Sequence, residues 1–138
     1  MLTPEFVSGY QWFRDSVPAN PETVPRIVIT VILEGREIPA LVDTGASQCV
    51  VSWTVAEALA TVEDCEVQFR AVGGNIHHGL LFPITINFPA DQGEAVTLDV
   101  TAWSAETFYG PNLIGYGGVL ERLRIAIDPA TNRFFFGH

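Results

Sequence analysis

Ala40-Leu41-Val42-Asp43-Thr44-Gly45-Ala46-Ser47 sets an apolar strand directly against a lone carboxylate and then a glycine turn. Ile38 to Val42 is rich in branched apolar residues and reads as the end of a buried strand. Such a strand runs into an acid only where the carboxylate has a hydrogen-bonding partner, because an unpaired buried charge is costly. Gly45 has no side chain, so its backbone N–H can approach Asp43 and donate to it. Thr44 adds a hydroxyl suited to bonding backbone across a close interface. A second segment far down the chain, Pro111-Asn112-Leu113-Ile114-Gly115, again places branched apolar residues before a glycine, ahead of an expected short helix.

Working outward, Arg26 to Leu33 is the clearest strand, and Glu34-Gly35-Arg36 turns it into Glu37 to Val42. Gln48 to Ser52 is strand-like again. Thr54-Val55-Ala56-Glu57 fits a capping box, with Val55, Ala58 and Leu59 on one side of a short helix. Val67 to Val72 and Ile76 to Phe88, the latter broken at Pro83, flank Gly73-Gly74-Asn75 and make a hairpin. Ala95 to Trp103 is a further strand. Val119 to Leu123 makes a helical turn, and Arg124 to Asp128 with Asn132 to Phe136 forms a final hairpin. Phe134, Phe135 and Phe136 put aromatics on both faces of the last strand, which therefore expects cover on both sides. Ahead of all this, residues 1–25 read as an arm on the domain's own surface. Phe6, Ser8, Tyr10 and Trp12 share a face if the arm is a strand, and Pro18, Pro21 and Pro25 preclude a continuous helix.

At 138 residues the chain is one domain, with residues 26–138 as its body, and the recurrence of Val, Ile, Thr and Phe between glycines and prolines makes it all-β. Hydrophobic residues make up 48% and charged residues 17%, a composition that folds. The net charge is −9 and all seven basic residues are Arg, with no basic run, so nucleic acid is excluded as an expected partner. No apolar run approaches membrane-spanning length and no signal-like start is present, so no membrane partner is expected and the cytoplasm is the expected location. Cys49 and Cys65 read as free thiols there. His77 and His78 are strand neighbours pointing to opposite faces, so they do not chelate one ion, and no metal or other cofactor is expected. Gly115-Tyr116-Gly117-Gly118 is not a dinucleotide loop, because Leu120 stands at the third glycine and no βαβ unit surrounds it.

The apolar strand into Asp-Thr-Gly-Ala, the Gly-Gly-Asn hairpin and the Leu-Ile-Gly segment resemble, in order and spacing from about Ile27 onward, the retropepsin-like aspartic proteases. The resemblance implies a retropepsin-like acid protease fold: a closed, barrel-like β domain with a flap hairpin and one or two short helices. It implies catalytic roles for Asp43, Thr44 and Gly45. Val72, Gly73, Gly74, Asn75 and Ile76 would form the flap tip over a bound peptide, and Pro111, Leu113 and Ile114 would wall the substrate pockets. The chain departs from the retroviral pattern where an acid usually follows Asp-Thr-Gly-Ala and an Arg follows the second glycine motif. Ser47 and Tyr116 stand there instead.

Peptide hydrolysis needs a base for the attacking water and an acid for the carbonyl or the leaving amine. Two adjacent carboxylates serve both ends, since like charges that close do not both ionise. Only one Asp-Thr-Gly is present, so the second Asp43 is expected from a second copy related by a two-fold axis. The expected function is thus a homodimeric aspartic endopeptidase acting on peptide or protein substrates. A non-catalytic module that keeps the fold and its dimer surface for protein interaction is the alternative.

Overall fold

The computed structural model describes residues 7–15, 26–59, 66–72 and 74–138, with the backbone alone for 66–72. Residues 1–6 and 16–25 of the arm, Cys65 and Gly73 lie outside the described residues. In order the strands are β1 (Gly9–Trp12), β2 (Val28–Leu33), β3 (Arg36–Asp43), β4 (Cys49–Val50), then helix α1 (Trp53–Leu59), β5 (Glu66–Val72), β6 (Asn75–Phe88), β7 (Gln92–Gly93), β8 (Val96–Ser104), β9 (Leu113–Gly115), a 3-10 turn at Leu120–Arg122, β10 (Arg124–Asp128) and β11 (Arg133–Gly137). The chain is all-β apart from these short helical pieces.

Seven strands form one sheet in the order β2-β3-β9-β4-β8-β6-β5, and Ile32 and Leu33 of β2 also pair with β6. That extra pairing closes β2, β3, β9, β4, β8 and β6 into a barrel. Side chains alternate between its faces. Ile29, Val31, Leu33, Ala40, Cys49, Phe82, Ile84, Ile86, Leu98, Val100, Ala102 and Ile114 fill the inside as the main core. The other four strands make a second sheet, β10-β11-β1-β7. It presents Phe134 and Phe136 to that same core. Phe135 points the other way, beneath Tyr10 at a ring separation of 5.2 Å and beside the Arg133 guanidinium. The last strand thus finds cover on both faces within its own chain.

The structure assigns the faces of β1, which the sequence left open, and changes two local expectations. The inward face of β1 is Gly9 and Gln11, followed by Phe13, while Tyr10 and Trp12 lie outside. A buried glutamine is tolerated because Gln11 satisfies its whole amide. Its Oε1 accepts from Thr30 N–H at 2.8 Å, and its Nε2 donates to the carbonyls of Thr30 and Pro89. Helix α1 begins at Trp53 and buries Ala56, leaving Ala58 exposed, so Thr54 is not its cap. Tertiary bonds fix the entry instead: Ser52 N–H donates to Asn112 Oδ1 and Trp53 N–H to the Phe108 carbonyl. Finally, β6 runs unbroken through Pro83. That residue falls between the positions paired with β5 and those paired with β2, so its missing donor deprives no neighbour on that side.

Candidate active site

Asp43 is the last residue of β3, where the chain leaves the barrel wall. Its neighbour in the sheet is not the next strand along the chain but β9, which inserts between β3 and β4. Strands β3 and β9 run parallel, with Leu41 opposite Leu113, Val42 opposite Ile114 and Asp43 opposite Gly115. The two motifs singled out in the sequence are therefore adjacent strands.

Glycine is required at this junction for space. A Cβ on Gly115 would lie 2.2 Å from the Gln48 carbonyl oxygen and 2.9 Å from that of Ala46. A Cβ on Gly117 would meet the Ser47 carbonyl oxygen at 2.0 Å. Tyr116 N–H then donates to the Ala46 carbonyl at 2.8 Å, pinning the segment after β9 to the Asp43 loop. Within the loop, Gly45 N–H donates to Asp43 Oδ1 at 2.9 Å and Ala46 N–H to the Asp43 carbonyl at 3.1 Å. The carboxylate is thus oriented by backbone, with Thr44 exposed beside it. Asn112 holds the other side: its carbonyl accepts from Leu41 N–H, its Oδ1 accepts from Ser52 N–H, and its Nδ2 donates to the Pro39 carbonyl.

Paired residues in a sheet share a face, so the register defines what surrounds Asp43. Leu41 pairs with Leu113, Leu113 with Val50, Val50 with Trp103, and Trp103 with Leu81. This row lies on the outer face of the barrel, the face that carries Asp43. Val50, Trp103, Ala105 and Phe108, with Leu81 and Leu113 against them, form a second, smaller apolar cluster. Beside it, Pro39, Leu41, Tyr109, Pro111 and Asn112 line a cleft of about 260 Å³.

Beyond Leu81 the same face continues onto the hairpin of β5 and β6. Gly79 is there because Trp103 occupies its side-chain space, with the indole 2.2 Å from where a Cβ would stand. His77 follows, its Nδ1 sharing a 2.6 Å hydrogen bond with Thr107 Oγ1 and its ring edge-on to Trp103 and Phe108. Val72 pairs with Asn75 at the hairpin end, and Gly74 turns at φ +84°. Ile76 is 77% exposed there.

The structure brings together Asp43, Thr44, Gly45, Leu113 and Pro111 around one face. It places Ile114 on the opposite face, 2% exposed in the main core. It adds Asn112, Trp103, Gly79 and His77, to which the sequence reading gave no role. Only Asn112 had a signal, a polar residue immediately before the apolar pair. Cys49 lies inside the barrel, where burial pushes its thiol up to about 12. Among the described residues no group of His, Cys, Asp or Glu is placed to hold a metal ion, and no helix is long and apolar enough to cross a membrane.

A family model described as aspartyl protease matches residues 29–115, from within β2 to the end of β9. Among solved structures the chain is similar to a retropepsin-like aspartic protease from Rickettsia conorii, with a TM-score of 0.60 at 15% identity over 99% of this chain and 98% of that one. At that identity the likeness is one of fold. No curated protein sequence matches the chain significantly.

Proposed function

The chain belongs to the aspartyl protease family, and on that premise we propose that it is an aspartic endopeptidase active as a homodimer. The observation that carries this is the anchored Asp43, held by Gly45 N–H and backed by Gly115, on the barrel face that also carries Leu41 and Leu113, with the cleft lined by Leu41 and Pro111 beside them. With one Asp-Thr-Gly in the sequence, the partner carboxylate is Asp43 of the second copy. Thr44 of each copy reaches across to the other subunit and holds the two loops together.

The paired carboxylates share one proton, the standard behaviour of aspartic-protease dyads. The ionised Asp43 takes a proton from the bound water as the water oxygen bonds to the scissile carbonyl carbon. The protonated Asp43 gives its proton to the carbonyl oxygen, leaving a neutral gem-diol. As that intermediate collapses, the ionised carboxylate takes a proton from one hydroxyl, the C–N bond breaks, and the other carboxyl gives its proton to the leaving amine, which restores the singly protonated pair. The peptide lies extended against Leu113 and Pro111, beneath the β5–β6 hairpin with Gly74, Asn75 and Ile76 at its tip.

The test is Asp43→Asn, which preserves shape and removes ionisation. Turnover of a peptide library should fall by at least about a thousandfold, with an unchanged melting temperature and loss of pepstatin binding. In mixtures at fixed total protein, activity should follow the square of the wild-type fraction once subunits have exchanged. A straight line would mean an active site within one copy. Absence of any turnover or pepstatin binding by the wild-type chain would support a non-catalytic interaction module.

A further inference from the structure

Strand β6 pairs with β8 only as far as Leu80, which lies opposite Ser104. From Gly79 to the tip its strand partner is β5, and β5 is the end strand of the sheet. The outer part of this hairpin is therefore a two-stranded ribbon standing clear of the barrel, an arrangement of marginal stability by itself. Two points on the face turned to Trp103 hold it. Gly79 lies against the indole, and His77, two residues further out, shares a hydrogen bond with Thr107. Beyond His77, Asn75 and Ile76 are exposed.

Thr107 is a firm anchorage. It sits in a turn closed by Phe108 N–H donating to the Ala105 carbonyl at 2.9 Å, and both of those residues are buried. The Phe108 carbonyl in turn accepts from Trp53 N–H at 2.8 Å, which ties the turn to the start of α1. Tyr109, Gly110 and Pro111 follow directly and line the cleft. One loop thus carries both the cleft wall and the hydroxyl that meets the hairpin. The 2.6 Å bond holds in either tautomer of His77, because Nδ1 can accept from the Thr107 hydroxyl or donate to it. Edge-on contacts with Trp103 and Phe108, at centroid separations of 6.2 Å, fix the plane of the imidazole.

Resting on the protease reading, we propose that His77 and Thr107 form a latch that sets the β5–β6 hairpin at its working distance from the cleft wall. Both are positioning residues, outside the acid–base pair. A hairpin already in place spares the incoming peptide part of the cost of ordering it. Releasing the latch removes binding shared equally by substrate and transition state, so it raises KM and leaves kcat in place.

A double-mutant cycle on peptide turnover reads the latch. Thr107→Val removes the hydroxyl at constant shape, and His77→Phe keeps a ring against Trp103 and Phe108 while removing Nδ1. Each should raise KM about three- to tenfold with kcat held within about twofold. The double variant should be no worse than either single one, since both remove the same bond. Thr107→Ser and His77→Asn, which keep a hydrogen-bonding atom near each original position, should recover most of the loss. A nitroxide on Asn75→Cys, in a Cys65→Ser background with Cys49 buried, should become more mobile on Thr107→Val. An active wild type with KM unchanged in both single variants, additive effects, no recovery by Thr107→Ser, or an unchanged nitroxide spectrum overturns the latch and leaves the protease standing. A wild-type chain that neither cleaves peptides nor binds pepstatin overturns the protease reading itself, and the latch with it.

Discussion

The two faces of the barrel wall are made by the same strands, yet they are built to different ends. Inside, Val42, Ile114, Cys49, Ala102 and Phe82 follow one another across β3, β9, β4, β8 and β6, apolar at every step. Outside, the face divides. Near one end it is polar, with Thr85 Oγ1 donating to Asp99 and Asn87 Nδ2 to Thr97 Oγ1. Near the other it carries Asp43 and the small cluster around Trp103. A shift of one residue along a strand exchanges the faces, so stability and the site are assigned to alternate positions of one sequence. The lesson is that Leu113 and Ile114, chemically near-equal neighbours, have separate duties.

The strongest way to break that comparison is to truncate the two neighbours in turn. Ile114→Ala empties part of the main core and should destabilise the chain by about 2–5 kcal/mol, read by chemical denaturation. Leu113→Ala, half-buried over the smaller cluster, should cost about 1 kcal/mol and instead raise KM for peptides. Equal stability losses with unchanged KM would mean that the faces do not differ in this way.

A smaller effect tests how the outer cluster supports the hairpin. Gly79→Ala puts a methyl group into the Trp103 indole and should cost about 1–3 kcal/mol. Because the displaced ring also abuts His77, tryptophan fluorescence should shift along with the stability. An unperturbed spectrum and melting temperature would show that β6 and Trp103 are not packed this closely.

The smallest expected effect is a null. Burial takes the Cys49 thiol from 9.0 up to about 12, so at pH 8 its thiolate is about a thousandfold scarcer than that of a free cysteine. Native Cys65→Ser protein should not react with a maleimide over hours, and reaction should appear only with unfolding. The sign follows from the shift: the buried neutral thiol is compatible with the fold up to pH about 12, and only above the ordinary 9.0 does the unfolded chain gain from ionising it. Rapid native labelling would mean that the inner face is open to solvent.

Much of this was legible in the residues because the signals were local. Arg26–Leu33, the Glu34-Gly35-Arg36 turn and the strand into Asp43 are a hairpin whose alternation and glycine speak for themselves. The Asp43 loop and Leu113-Ile114-Gly115 were legible as a pair only through their resemblance to a family, since their adjacency spans most of the chain. What stayed hidden was set by tertiary partners. The polar inward face of β1 depends on Gln11 meeting Thr30 and Pro89, which no hydrophobic pattern reports. The start of α1 depends on Asn112 and Phe108. Gly79 looks like any strand glycine until Trp103 is found in its place.

The pairing of β1 with β11 also has a consequence for the order in which the molecule is made. Gly9 to Trp12 are matched with Phe136 to Arg133, partners more than 120 positions apart. On the ribosome β1 emerges well before its partner, so the second sheet cannot close over the barrel until synthesis has passed Phe136. Every nascent chain therefore passes through a stage in which the barrel strands exist while Phe88 still lacks the ring of Phe136, 5.9 Å away in the finished fold. Contacts this distant in sequence slow folding. They also make the synthesis of β11 the event that allows the core to be completed.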